Sequence, residues 1–410
     1  LRGLLPGMQL NYASAEVVDP ATGRARMTGV ELRNPRGART TFAEVVVEQA
    51  SREGARYVLL RGMQGQNGND RVTIAEIELR DLAVRLPAEG ATPSPDMVDI
   101  GHFSLREGRV AATDNNVAIA SLVIEGWGQG RPTRIELNGF DVSFVASGGS
   151  PFDRVAIGRM AMFGTDLPGA IAAALAGRPA TPTAGEPSFE AENLSAGMGG
   201  QTLATVTRIE ARSRMDATGS GAGTLGIRGV RVLPMPGLGE WLNRYGYAEI
   251  NAELTAESAY DAASGRIDLT SFRIAGQDVG ALTISLLMDG LTQQAILERQ
   301  FTNVRLFGAG IGWLDQSILQ RVARDMARSM GTTEAALRDQ WAGMASGMLA
   351  QRGAAGMESL RDAIVRYIRG QANEIELRAQ PPQPVPVMSL GGMGSPVQVQ
   401  QALNITATAR

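Results

Sequence analysis

His102 is the one side chain that could act as an ordinary imidazole general base, because the 410 residues contain a single histidine. The chain has no cysteine, and its 39 basic residues are all arginine. Thiol nucleophiles, disulfides, cysteine-ligated zinc, Schiff-base lysines and Walker A loops are therefore excluded. The sequence predicts no cofactor, no metal site and no catalytic residue.

His102 itself lies where the alternation of a strand-like segment, Val98–Leu105, changes phase. In the similar segments described below, the matching positions hold a varied set of residues: Arg159, Glu76, Ser121, Gly139 and Ser271. A position that accepts so many residue types is typical of a solvent-facing site. We predict that no activity depends on His102 and that the protein is not an enzyme.

One glycine motif and the distribution of the arginines both have simpler interpretations than ligand binding. Gly221–Gly226 (GAGTLG) matches the dinucleotide pattern, but that motif requires a following helix. Here Ile227–Leu233 alternates like a strand, which predicts a glycine-rich hairpin. The 39 arginines are scattered among 42 acidic residues, giving a net charge of −3, so no nucleic acid partner is expected.

No stretch approaches the roughly 20 apolar residues of a transmembrane helix, so none is predicted. The sequence begins at Leu1 rather than at methionine, which fits the removal of a signal peptide or of an anchor. We therefore expect an exported protein.

An apolar–x–apolar–x–x–apolar–x–apolar pattern recurs along the chain. It occurs at Val72–Leu79, Val98–Leu105, Val117–Ile124, Ile135–Val142, Val155–Met162 and Ile267–Ile274. Each half has the period of two that indicates a strand with one buried face. The extra central residue indicates either a β-bulge or a turn between two very short strands. Only Asn138-Gly139 has turn chemistry, so we favour bulges, at Gly101-His102 and Gly158-Arg159 among others.

The periodicity becomes helical between Asp315 and Gly370, where it predicts three amphipathic helices. The second carries its apolar residues at steps of four, three and four: Leu337, Trp341, Met344 and Met348. The predicted fold is mainly β (α+β): a long, bent antiparallel β-meander with bulges, plus a C-terminal three-helix insert packed on the sheet. Such helices cover only part of the sheet, so these four residues are predicted to line an apolar groove or partner face.

The predicted organisation has five parts. They are a first β-meander region ending in a short helix (1–177), a linker (178–187), a second β region (188–314), the helical insert (315–373) and a proline-rich segment with a closing strand (374–410).

The bulged strands, most clearly Val98–Leu105 and Val155–Met162, resemble the β-meander of AsmA-like bacterial envelope proteins. Residues 244–290 and the proline-rich tail before Leu403 are similar to uncharacterised exported proteins of that type. The resemblance implies a curved periplasmic sheet whose apolar side chains shelter lipid acyl chains. The three-helix insert departs from that pattern.

Two functions follow as hypotheses. The first is a non-enzymatic cell-envelope protein whose curved sheet handles lipid or another apolar ligand. The alternative is a structural or assembly subunit of an envelope protein complex, without a small-molecule ligand. A continuous, open apolar face would favour the first.

Overall fold

The computed structural model describes residues 9–34, 37–85, 94–128, 130–145, 152–178, 181–350 and 357–410. It is mainly β, with 55% strand and 20% helix, which confirms the predicted class. The chain divides into two compact units, residues 1–210 (unit 1) and 211–410 (unit 2).

Unit 1 contains a meander of antiparallel strands. They are β1 (Gln9–Asn11), β2 (Ser14–Asp19), β3 (Arg24–Arg33), β4 (Arg39–Glu48), β5 (Gly54–Asn67), β6 (Asp70–Val84), β7 (Val98–Ala111), β8 (Asn115–Trp127), β9 (Thr133–Phe144), β10 (Arg154–Thr165) and β11 (Ser188–Met198). The short strands β1 and β2 both pair with β3, and from β3 to β11 each strand pairs with the next. Strand β12 (Gln201–Met215) continues across the unit boundary.

Unit 2 is built in the same way. Its strands are β13 (Gly221–Val232), β14 (Ile250–Asp261), β15 (Arg266–Gly276), β16 (Gly280–Asp289), β17 (Arg305–Asp315), β18 (Glu374–Ala379), β19 (Val385–Pro386) and β20 (Ile405–Ala409). Neighbours in sequence pair from β13 to β18, β20 adds to β18, and β19 pairs with the first residues of β17. All of these pairings are antiparallel.

Eight α-helices lie in the described residues. They are α1 (Leu167–Leu175), α2 (Leu238–Tyr245), α3 (Gln293–Leu297), α4 (Ile318–Ser329), α5 (Glu334–Ala350), α6 (Glu358–Ile368), α7 (Val387–Leu390) and α8 (Pro396–Leu403). The predicted three-helix insert corresponds to α4, α5 and α6. The described residues contain five further helices, so the predicted fold has too few helices. The segment predicted as proline-rich with a closing strand (374–410) also contains α7 and α8.

True β-bulges occur in unit 2, and one lies at a predicted phase change. In β15 the pairing with β16 passes from Leu269–Leu286 to Phe272–Ile284, so Thr270-Ser271 holds one extra residue. The pairing of β15 with β14 shifts at the same place. The predicted bulge in Ile267–Ile274 is therefore confirmed.

In the strands of unit 1, the alternation of side chains changes phase without an inserted residue. One residue in each strand from β3 to β11 lies in a single row across the sheet, which we call the αL row: Gly29, Ala43, Gly62, Ala75, Glu107, Ala120, Gly139, Gly158 and Asn193. Every second member has left-handed backbone, with φ between 52° and 62°: Gly29, Gly62, Glu107, Gly139 and Asn193. An αL residue in a strand interrupts the alternation of its side chains, and here neighbouring strands are interrupted at matching positions.

The bulge prediction for Gly158-Arg159 is therefore wrong. The pairs on either side of Gly158, Ile157–Phe140 and Arg159–Asn138, keep one register, so no residue is inserted. Gly158 instead faces Asn193 so closely that an added Cβ would lie 2.9 Å from the Asn193 Cβ.

The same holds at Gly101-His102. Gly101 faces Asp81, which has φ of 52°, and an added Cβ would lie 3.0 Å from the Asp81 Cβ. His102 itself pairs in unbroken register with Arg80 and Glu125. The bulge prediction is wrong here too, although the predicted change of phase is present.

Candidate functional site

The phase change keeps two rows of apolar side chains on one face of the sheet of unit 1. Two rows of directly facing residues cross the nine strands from β3 to β11. Row A is Met27, Val45, Leu60, Ile77, Leu105, Leu122, Leu137, Met160 and Ala191. Row B is Ala25, Val47, Val58, Leu79, Phe103, Ile124, Ile135, Met162 and Phe189. All eighteen side chains are apolar.

Most of this apolar surface is only half-buried. Met27, Val45 and Ala191 are buried, whereas the other fifteen members of rows A and B are half-buried. The one α-helix among the described residues of unit 1 is α1, whose nine residues span about 14 Å. Eight steps between strands make rows A and B about 38 Å long. Helix α1 is therefore too short to cover the rows.

The opposite face of the same strands carries charged residues, although Val46 and Leu59 on that face are buried. Beside row A, and next to it in sequence, runs a charge ladder of Glu44, Arg61, Glu76 and Arg106. Arg61 bridges two carboxylates, with Nη1 2.9 Å from a Glu44 oxygen and Nε 3.0 Å from a Glu76 oxygen. Arg106 Nη2 lies 2.5 Å from the other oxygen of Glu76. The part of this face that carries the charge ladder is thus adapted to water, and the sheet is amphipathic there.

The ladder changes the acidity of its members. Hydrogen bonds from Arg61 hold the pKa of both Glu44 and Glu76 below the ordinary value of 4.5, although partial desolvation opposes the shift. The same two hydrogen bonds raise the pKa of Arg61. These shifts are a consequence of ion pairing on an exposed surface.

Unit 2 has its own pair of apolar rows. Row C is Leu225, Ala256, Phe272, Ile284, Ile311, Leu377 and Ala407. Row D is Ile227, Leu254, Ile274, Leu282, Trp313, Ile375 and Ala409. Both rows cross seven strands, from β13 to β18 and β20. Helix α6 packs on Leu377, Ala407 and Ala409, so the last strands of this face are covered.

The four residues predicted to line a groove all lie on α5, in different environments. Leu337 is 1% exposed and belongs to the interior, and Trp341 is half-buried. Met344 and Met348 are 52% and 73% exposed. The helix that contacts the sheet in this region is α6, with α5 contributing Leu349 to the same cluster.

The residues considered for chemistry lie on strands. His102 is half-buried, and its Nδ1 is 3.7 Å from a Glu125 oxygen. The Gly221–Gly226 motif opens β13 after a turn in which Asp216 accepts hydrogen bonds from the amides of Thr218 and Ser220. The predicted glycine-rich hairpin is therefore confirmed. Among the described residues, no three His, Cys, Asp or Glu side chains are grouped so as to hold a metal ion.

No described helix combines the length and the apolar character that crossing a bilayer requires. Residues 273–410 match the model of a family described as "Uncharacterized protein". A search of curated proteins finds no match to the chain.

The recurring sequence pattern identified six of the strands that carry rows A to D, namely β6 to β10 and β15, but not the rows themselves. Each repeat shows which residues share a face within one strand. The register between strands, which places Leu105 beside Leu122 and Ile77, depends on the hairpin lengths. The sequence does contain one signal of the register, because the segments share the same phase change. Neighbouring strands in which these phase changes lie opposite each other have the observed register.

Proposed function

We propose that the protein is a non-enzymatic cell-envelope protein that binds the acyl chains of lipids on the apolar face of its sheet. The observation that supports this most strongly is the continuity of rows A and B across nine strands. Eighteen facing positions hold apolar side chains, and fifteen of them are half-buried. A sheet that was merely structural would be expected to bury this face under helices or a second sheet.

The dimensions suit an acyl chain lying across the strands. A bilayer's hydrocarbon core is about 30 Å thick, so one leaflet's chains extend about half that distance. The rows are about 38 Å long, which accommodates such a chain with length to spare. Covering apolar surface stabilises by about 25 cal/mol per Å² removed from water, and a flexible chain can follow the small irregularities of the rows.

The proposed location is the bacterial periplasm. It rests on the similarity of strands such as Val98–Leu105 and Val155–Met162 to the β-meander of AsmA-like proteins, and it is independent of the lipid hypothesis. Fractionation of the host cell, with the chain detected by an antibody, tests it directly.

The experiment for lipid binding compares two variants of the same strand, each with one added charge, on opposite faces of the sheet. In Leu105→Arg the charge lies in row A, between Ile77 and Leu122. In Ser104→Arg, the matched control, it lies between Glu78 and Val123 on the opposite face. Binding of a fluorescent fatty acid should weaken at least tenfold in Leu105→Arg, because a guanidinium is strongly disfavoured beside hydrocarbon.

The control variant should bind as the unchanged protein does, and both variants should keep its circular dichroism spectrum. Equal binding by both variants would exclude rows A and B as the site. Absence of fatty-acid binding by the unchanged protein would contradict the proposed function itself.

A second candidate function is that of an assembly subunit, favoured by an apolar tip in unit 2. Ile296, Leu297 and Phe301 are all exposed in and just after α3. Three large apolar side chains on one short connection are typical of a contact with another protein. Native mass spectrometry of the protein purified from its host distinguishes the two functions: bound lipid supports the first and a bound protein subunit the second.

A further inference from the structure

The chain contains two Asn-Gly dipeptides, Asn67-Gly68 and Asn138-Gly139, in very different surroundings. An asparagine followed by glycine is prone to cyclise, because glycine has no Cβ to hinder its own amide nitrogen. That nitrogen can attack the side-chain carbonyl carbon of the asparagine when the backbone between the two residues can rotate. The two dipeptides therefore share one chemistry but differ in the freedom of their backbone.

Asn67-Gly68 lies at the exposed end of the β5–β6 hairpin. Asn67 faces Asp70 in the last pair of the ladder, so Gly68 and Asn69 form a two-residue turn. Asn67 and Gly68 are both exposed, and a Cβ added to Gly68 would have no atom within 4 Å. Rotation of the backbone here disturbs only the last pair of the hairpin, where local opening costs the least free energy.

Asn138-Gly139 lies inside the sheet of unit 1. Asn138 of β9 faces Ser121 of β8 and Arg159 of β10, so paired strands flank it on both sides. Its half-buried side chain donates a hydrogen bond from Nδ2 to Ser121 Oγ, at 3.1 Å. A Cβ added to Gly139 would lie 2.7 Å from the Ala120 Cβ, so the neighbouring strand is very close. Cyclisation at this dipeptide requires β9 to separate from both neighbours.

We propose that Asn67-Gly68 is a site of spontaneous deamidation, and that the fold protects Asn138-Gly139 from the same reaction. The Gly68 nitrogen loses its proton and bonds to Asn67 Cγ, while the side-chain nitrogen takes up a proton and leaves as ammonia. The product is a five-membered succinimide. Water then adds to one of its two carbonyl carbons and breaks the bond from that carbon to the ring nitrogen. Attack at Cγ yields aspartate at position 67, and attack at the backbone carbonyl carbon yields isoaspartate.

Either product places a carboxylate at the end of the hairpin. The new charge faces Asp70, and like charges directly opposite each other destabilise a strand pair. Isoaspartate also adds one methylene to the backbone beside a two-residue turn, whose length sets the register of the hairpin. We therefore expect the modification to weaken the last pair of β5 and β6.

In the test, the full chain is incubated at mildly alkaline pH in water enriched in oxygen-18, then digested with trypsin in ordinary water. Trypsin cleaves after arginine, so the two dipeptides fall in separate peptides, residues 62–71 and 135–154. Mass spectrometry should show oxygen-18 in peptide 62–71, at a rate that rises with pH because the attacking nitrogen must lose its proton. Peptide 135–154 should be labelled more slowly by a factor of about ten or more, because opening the strand costs free energy. In urea the two rates should become similar.

Asn67→Gln should abolish labelling of peptide 62–71, because a glutamine side chain would have to form a less favourable six-membered ring. Asn69→Gln is the matched control on the same exposed turn and should leave the labelling unchanged. Circular dichroism should show that both variants fold. Equal labelling of the two peptides in the folded protein would overturn the proposal. So would labelling that persists in Asn67→Gln, or labelling of peptide 62–71 in urea alone.

Discussion

At the scale of single residues, Arg61 organises the charged face. It holds Glu44 and Glu76 on either side, and its hydrogen bonds lower the pKa of both carboxyl groups. A carboxyl group whose pKa is lower in the folded chain stabilises the fold above its ordinary pKa, here 4.5. That contribution is lost as the pH falls through the lower, folded value.

We therefore expect Arg61→Met to raise the pKa of Glu44 and Glu76 and to move acid unfolding to higher pH. Carbon-detected NMR titration of the glutamate carboxyl groups measures the first effect, and circular dichroism against pH measures the second. Arg71→Met removes an exposed arginine of β6 that lies outside the charge ladder and should change neither. Unchanged carboxyl titrations in Arg61→Met would show that the ladder does not persist in solution.

At the scale of the strand, the αL row determines which side chains face the apolar side. Gly139 of β9 has φ of 61°, and an added Cβ would lie 2.7 Å from the Cβ of Ala120 on β8. Gly68, in the turn before β6, has nearly the same backbone, with φ of 59°, but open space around its α-carbon. Substitutions at Gly139 and Gly68 therefore distinguish the effect of backbone strain from the effect of closely approaching strands.

Gly139→Ala should combine both penalties and lower the free energy of unfolding by about 2–4 kcal/mol. Gly68→Ala should incur the backbone penalty alone, about 1 kcal/mol. Urea unfolding followed by circular dichroism measures both. Equal destabilisation by the two substitutions would mean that the strands do not approach each other closely at the αL row.

The elements also show what the sequence could and could not predict. Alternation within a strand is local, so the apolar face of each segment and the bulge at Thr270-Ser271 were predicted correctly. Whether a phase change inserts a residue depends on the partner strand, and Gly158 meets an αL residue, Asn193, at the matching position. A single strand contains no information about that partner.

The helices were harder to place than to identify. The apolar periodicity of α5 predicted one face shared by Leu337 and Met348, yet Leu337 is buried and Met348 is exposed. Periodicity shows that a helix has an apolar stripe, but the neighbour that covers it is chosen by packing. Here α6 takes the position on the sheet, and the far end of the α5 stripe remains in water.

At the scale of the whole molecule, both units repeat one design: a meander of antiparallel strands with continuous apolar rows on one face. In unit 1 the rows are half-buried along most of their length, and in unit 2 they end beneath α6. In unit 1, charged residues such as those of the charge ladder lie on the other face. We propose that this arrangement gives an acyl chain a path that runs across the strands.

The most direct test of that proposal is photo-crosslinking with a fatty acid that carries a diazirine near its methyl end, followed by mass spectrometry of the labelled peptides. We predict that labels concentrate on residues of rows A to D, such as Leu105, Leu122 and Leu137, and are absent from the facing charge ladder. Excess unlabelled fatty acid should suppress them. Labels confined to the exposed methionines of α5, or spread evenly over both faces of the strands, would contradict the account.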